Sequence, residues 1–156
     1  MPAGSDASPS VTLPRTWRPL GVRLAGGIFG GLLLVVCVFA WLSFSAETRS
    51  RFTFFQIFTL LALGLLALAC GFALVRSRVV AETNRLVVVN GYRRREFEYA
   101  EVIDAHLPPG APWVTLDLAD GTAVSAMGIQ GSDGGRAQAA LRELRSVLAA
   151  SSAGGG

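Results

Sequence analysis

Two runs without a single charged residue, Leu24 to Phe44 and Phe52 to Val75, restrict the folds open to this chain more than anything else in it. LAGGIFGGLLLVVCVFAWLSF and FTFFQIFTLLALGLLALACGFALV hold about 21 and about 24 residues, and at a helical rise each covers roughly 30 Å of hydrocarbon. In a chain of 156 residues, 51% hydrophobic, 16% charged and with a mean hydropathy of +0.47, such runs belong in a bilayer rather than a soluble core. Two spans leave room for one small folded unit and exclude a large enzyme core. A secretory signal peptide is the competing account of the first run, but its apolar region usually has about 7 to 15 residues, and the cleavage pattern here is poor.

The polar link SAETRSR makes the two runs a helical hairpin. The expected organisation is a disordered tail over 1–20, a transmembrane hairpin over 21–75 with spans at about 24–44 and 52–75, a folded domain over 76–150, and a disordered tail over 151–156. Arg15, Arg18 and Arg23 precede the first span and Arg76, Arg78 and Arg85 follow the second, against Arg49 and Arg51 with Glu47 in the link. The positive-inside bias therefore places both termini in the cytoplasm, in a multi-pass plasma-membrane protein, with the reversed hairpin as the alternative. Neither run contains an ionisable Asp, Glu, Lys, Arg or His, which argues against a proton relay, ion pathway or transporter site. Gly26 and Gly30, Gly27 and Gly31, and Ala67 and Gly71 are small residues spaced to let helices approach closely, either within one chain or in a homo-oligomer. Cys37 and Cys70 fall inside the apolar runs, where a single pair builds no disulfide framework, and they read as small hydrophobes.

From Arg76 onward the texture changes to short β-branched runs broken by turn pairs. Strands are expected at Arg78–Glu82, Arg85–Val89, Tyr92–Glu98, Val102–Leu107, Trp113–Leu118 and Thr122–Ala126, with a further short one around Gly128–Gln130. Asn90-Gly91 suits a type I′ hairpin turn and Asp120-Gly121 a second hairpin. Val114, Leu116 and Leu118 alternate toward a core. Ser132 or Asp133 can cap a final amphipathic helix carrying Ala137, Leu141, Leu144 and Leu148 on one stripe. Two small sheets with a helix covering their open end would bury the exposed strand edges.

The stretch VVAETNRLVVVNGYRRREFEYAEVIDAHLPPGAPWVTLDLADGTAVSAMGIQGSDGGRAQAALRELRSVL, about half the chain, resembles the bacterial PH-like domain of the low-molecular-weight protein antigen type. The likeness rests on order and spacing: the Asn90-Gly91 strand pair, the arginine run after it, the segment Tyr99 to Val102, the Leu-x-Leu-x-Asp-Gly hairpin, and a Ser-Asp-Gly entry to the last helix. Tyr99 stands where many relatives carry tryptophan. The resemblance implies a membrane α-helical hairpin followed by an all-β PH-like barrel or sandwich capped by a C-terminal α-helix. It also implies a non-enzymatic module, and it names no ligand.

Chemistry-bearing residues are few. His106 is the sole histidine and has no cysteine or second histidine in the soluble part to complete a metal set, so no metal or cofactor is expected. Glu96, Glu98, Glu101 and Asp104 have no nucleophile beside them, and no catalytic residue is expected. The GSDGG segment lacks the lysine and spacing of a phosphate loop. Arg93, Arg94 and Arg95 are the sharpest feature, because three adjacent guanidinium groups in one strand cannot all face a core. Alternation puts Arg93 and Arg95 on one face. With Arg76 and Arg78 they are the expected contacts for anionic lipid headgroups or a protein partner, the plain alternative being a solvated face balanced by Glu96 and Glu98. Nucleic acid is not expected, since aromatic stacking positions are not interleaved with the arginines. A membrane-anchored binding module is the resulting reading, with a structural or assembly subunit that associates through its glycine-rich helices as the alternative.

Overall fold

The structure, a computed structural model, describes residues 11–153; the tails expected at 1–10 and 154–156 lie outside the described residues. The described residues divide into two compact units, one from Leu20 to Val75, the other combining 11–19 with 76–153.

The first unit consists of α1 (Leu20–Ser43), the short α2 (Ala46–Ser50) and α3 (Phe54–Arg76). Both long helices are long and apolar enough to cross a membrane, and neither buries a residue. The core helix of a soluble protein would pass the same length test but would be buried; here Phe39 is 72% and Phe55 75% exposed. The link is built from local polar bonds. Arg49 donates from Nε to the Phe44 carbonyl at 3.0 Å and from Nη2 to the Leu42 carbonyl at 3.2 Å, satisfying acceptors left over at the end of α1. Thr53 and Gln56 form a reciprocal capping box that starts α3. Trp41, Phe44 and Phe52 cluster beside the link, with ring centroids 5.6–6.4 Å apart.

The second unit holds seven strands in two antiparallel sheets. The four-stranded sheet runs β1 (Arg15–Trp17), β2 (Arg78–Ala81), β3 (Arg85–Asn90), β4 (Arg93–Glu98) in that spatial order. The three-stranded sheet is β5 (Val102–His106), β6 (Trp113–Leu118), β7 (Ala123–Gln130), and α4 (Gly135–Ala153) follows it. No ladder joins the two sheets among the described residues, so the architecture is a pair of open sheets rather than a closed barrel. The core lies between them: Val79, Leu86 and Val88 from the first sheet meet Val114, Leu116 and Ala126 from the second, and α4 adds Ala137, Leu141, Leu144, Val147 and Leu148. Burying each such large apolar side chain is worth about 1.5–3 kcal/mol.

Five expectations need correction. Residues 11–19 are not a tail: Arg15–Trp17 is an edge strand in register with Val79–Ala81, and Trp17 is buried in the core. Three residues are too few for periodicity to reveal; the strand exists because β2 offers it an edge. Residues 151–153 belong to α4. The first hairpin turn is Gly91-Tyr92, since Asn90 pairs with Arg93; only Gly91 has positive φ, at 60°, the pattern of a type II′ turn. The two short strands expected at 122–126 and 128–130 are one strand, β7. Gly128 sits inside it because a Cβ there would stand 2.5 Å from the backbone of Arg78 and Val79. Ser132 and Asp133 belong to a 3-10 turn, and α4 starts after Gly134, whose φ of +56° favours glycine.

Candidate functional site

Register decides which arginines come together. Trp17 pairs with Val79, Arg78 with Val89, and Val89 with Arg94, so one end of the first sheet carries the end of β1, the start of β2 and the β3–β4 hairpin. That same end is where the chain leaves for α1, with two residues between it and Trp17, and returns from α3, with one residue between it and Arg78. The hairpin is tied there: the Gly91 N–H donates to Ser77 Oγ at 3.0 Å, and Ser77, the single residue between α3 and β2, is buried. Asn90 fastens the same corner to the second sheet, accepting from the Met127 N–H at 3.0 Å and donating to the Ser125 carbonyl. Arg18, Arg76, Arg78, Arg93 and Arg94 thus gather where the helices are rooted, with Tyr92 64% exposed among them.

The arginine run splits between two faces. Arg78 and Arg94 flank Val89 across the outer face of the sheet, while Arg93 and Arg95 lie on the other face, as alternation predicts. Arg94 pairs with Glu96 at 2.7 Å, and Glu96 also meets Arg85 at 2.6 Å, whose Nε lies 2.8 Å from Glu82. Arg76, Arg78, Arg93 and Arg95 make no ion pair among the described residues.

The opposite end of the sheet is acidic. Glu82, Glu96, Glu98 and Glu101, with Arg85 between them and Phe97 below, line an open groove of about 680 Å³. Most of these carboxylates already serve the fold. Glu101 accepts the Glu98 N–H at 2.7 Å in a capping box around the 3-10 turn, and the buried Tyr99 hydroxyl donates to the Glu82 carbonyl. Burial, and then the charge of Glu82, raises the Tyr99 phenol above its usual value. In the loop joining β6 to β7, hydrogen bonds from Thr122 to Asp120 lower that carboxyl.

His106 has company that sequence spacing did not show. Asp104 stands directly opposite Asp117, and His106 Nδ1 is 3.1 Å from Asp117 Oδ2. The ligand atoms of these three residues lie within 4.8 Å of one another, the arrangement closest to a metal set among the described residues. Both carboxylates are already engaged: Asp117 meets His106, and Arg145 Nε stands 3.6 Å from Asp104. The residue that sequence reasoning missed altogether is Glu143 on α4. It accepts both Nε and Nη2 of Arg15, at 3.1 and 3.2 Å, and the Trp17 indole N–H at 3.0 Å. In the helices, a Cβ built on Gly26, Gly27, Gly30, Gly31 or Gly71 would meet nothing within 4 Å, so nothing among the described residues packs closely on those positions; Ala67 is likewise exposed.

Residues 76–146 match the bacterial PH domain family. Uncharacterized proteins of Mycobacterium tuberculosis and Mycobacterium bovis are each 32% identical over 148 residues, spanning 89% of this chain and 88% of the relative. No solved structure matches. A seven-stranded pair of antiparallel sheets with a C-terminal helix, preceded by two apolar helices, and relatives alike over nearly their whole length lead to one assignment: the chain belongs to the bacterial PH domain family.

Proposed function

We propose that the protein is a membrane-anchored, non-catalytic recognition module at the cytoplasmic face of the plasma membrane, whose arginine-rich end binds anionic lipid headgroups. The observation that carries the reading is the Ser77–Gly91 hydrogen bond, which holds Tyr92, Arg93 and Arg94 beside the residues through which the chain enters and leaves its apolar helices. At such a place each arginine that reaches an anionic surface contributes about 1 kcal/mol. Orientation follows the same arginines. Pairing of β1 with β2 keeps Arg15 and Arg18 on one side with Arg76, Arg78 and Arg93 to Arg95, against Arg49 and Arg51 at the link, where Arg49 is engaged by helix-end carbonyls.

The test uses the full chain in lipid nanodiscs. Hydrogen exchange over residues 90–95 should slow in discs containing an anionic lipid relative to zwitterionic discs, and Arg93→Glu with Arg95→Glu should remove the difference. Equal exchange in both discs would overturn the lipid assignment and leave a protein segment as the ligand. A C-terminal reporter that fluoresces only in the cytoplasm checks orientation, and a dark fusion would move the domain to the outer face. An assembly subunit is the second reading, favoured by the open glycine positions of α1. Gly27→Leu with Gly31→Leu should abolish self-association if that reading holds, and leave oligomeric state unchanged if it does not.

A further inference from the structure

The two helices are fastened to the domain in unequal ways. α3 runs through one buried residue, Ser77, into β2, a strand paired on both sides and crossed by Gly128 of β7. α1 is preceded by Arg18 and the fully buried Pro19, and behind them lies β1, an edge strand held by three register pairs with β2 alone. What secures β1 is the far end of the chain: Glu143 of α4 takes the fork of Arg15 and the indole of Trp17, and Trp17 and Val11 pack on the core. Neither junction contains slack, since two residues separate β1 from α1 and one separates α3 from β2.

We infer that β1 is a latch, fastened by Glu143, through which displacement of α1 relative to α3 is transmitted to the domain. Seated, β1 keeps the residues that lead into α1 and out of α3 on neighbouring strands at one end of the sheet. Released, it leaves α3 rooted in β2, frees α1, and uncovers both the backbone edge of β2 and the seat of Trp17 against α4. Local opening of this kind draws on the least-paired element of a fold, and a three-residue edge strand is that element here. The inference goes beyond ligand recognition but rests on α1 and α3 spanning the bilayer, which retention of the full chain in carbonate-washed membranes checks separately.

Hydrogen exchange on the full chain in nanodiscs tests it in two arms. Glu143→Ala should accelerate exchange at Arg15–Trp17 by about tenfold or more, because charge-assisted bonds are lost, while β3, β6 and β7 keep their protection. Uniform acceleration across the domain, or none at β1, overturns the latch. In the second arm the wild-type chain is compared in discs of different hydrocarbon thickness, which change helix tilt. β1 protection should vary with thickness, and a Gly-Gly-Ser insertion between Pro19 and Leu20 should abolish that variation. Thickness-independent protection in the wild type would make β1 a static fastener and end the proposal. Failed membrane retention would instead remove the spanning reading.

Discussion

The helical hairpin and the β domain use the same kinds of apolar residue and place them oppositely. Leu34 in α1 is 65% exposed, whereas Leu86 in β3 is fully buried. In the hairpin each helix satisfies its own backbone, so hydrocarbon can take the place of a tertiary partner. In the domain the partner must be other side chains, and register, crossing points and turn geometry decide which ones. Damage should therefore separate cleanly: domain mutations spare insertion, and hairpin mutations spare the fold of the sheets.

The largest effect should come from Gly128→Val. Its Cβ would overlap the Arg78–Val79 backbone, where no flexible atom can yield, so near-complete loss of the domain's cooperative unfolding transition is expected with membrane retention intact. Retention lost together with the fold would break the comparison. Leu144→Ala comes next. This fully buried residue of α4 should cost about 2–5 kcal/mol, read as a lower denaturation midpoint of the domain, again with normal retention. On the other side, Leu33→Asp in the middle of α1 should cost insertion about 2.5–3.5 kcal/mol and reduce the membrane-bound fraction. The strand amides of the domain should keep their hydrogen-exchange protection.

Smaller effects sharpen the picture within the domain. Tyr99→Phe removes one hydrogen bond and should cost about 0.5–1.5 kcal/mol. It should also change the alkaline limb. The folded-state phenol titrates above its unfolded value, so this contribution is present below the ordinary tyrosine range and is lost as pH rises through the higher folded value. Stability curves of the two proteins should therefore converge at high pH; a constant gap would mean that the phenol does not couple to folding. Asp120→Asn should act least, and at the acid end. The carboxyl is lowered when folded, so its contribution is present above the unfolded value and disappears as pH falls through the folded one. Wild type and variant should differ near neutral pH and agree in strong acid.

Legibility in the sequence follows the same division. The two apolar runs located α1 and α3 to within a few residues, since span length is a property of one segment. Strands with a clear alternation, such as Trp113–Leu118, were equally plain. Failures occurred where a residue answers to a distant neighbour. Gly128 reads locally as the start of a separate short strand and is instead the crossing point of two sheets inside one long strand. Arg15–Trp17 reads as a tail and is a strand because β2 and Glu143 receive it. The arginine run was conspicuous, but its place beside the helix roots depends on Arg78 pairing with Val89 and on Ser77 meeting Gly91. His106 looked solitary because Asp117 is eleven positions away and becomes its neighbour only through the β5–β6 ladder.

By itself, then, the amino-acid order determined two helices of span length, the run of β segments, the amphipathic stripe of α4 and the location of its strongest positive charge. Each of these is a local property, set by hydropathy, periodicity of 2 or 3.6, and turn chemistry within a few residues. Tertiary structure alone decided that the helical hairpin interrupts a sheet between its first and second strands, that Glu143 fastens that sheet's edge strand, and that the arginines and the glutamates occupy opposite ends of it. The physical reason is that strand pairing joins residues far apart in the chain, and shifting such a pairing by one position turns every side chain to the other face.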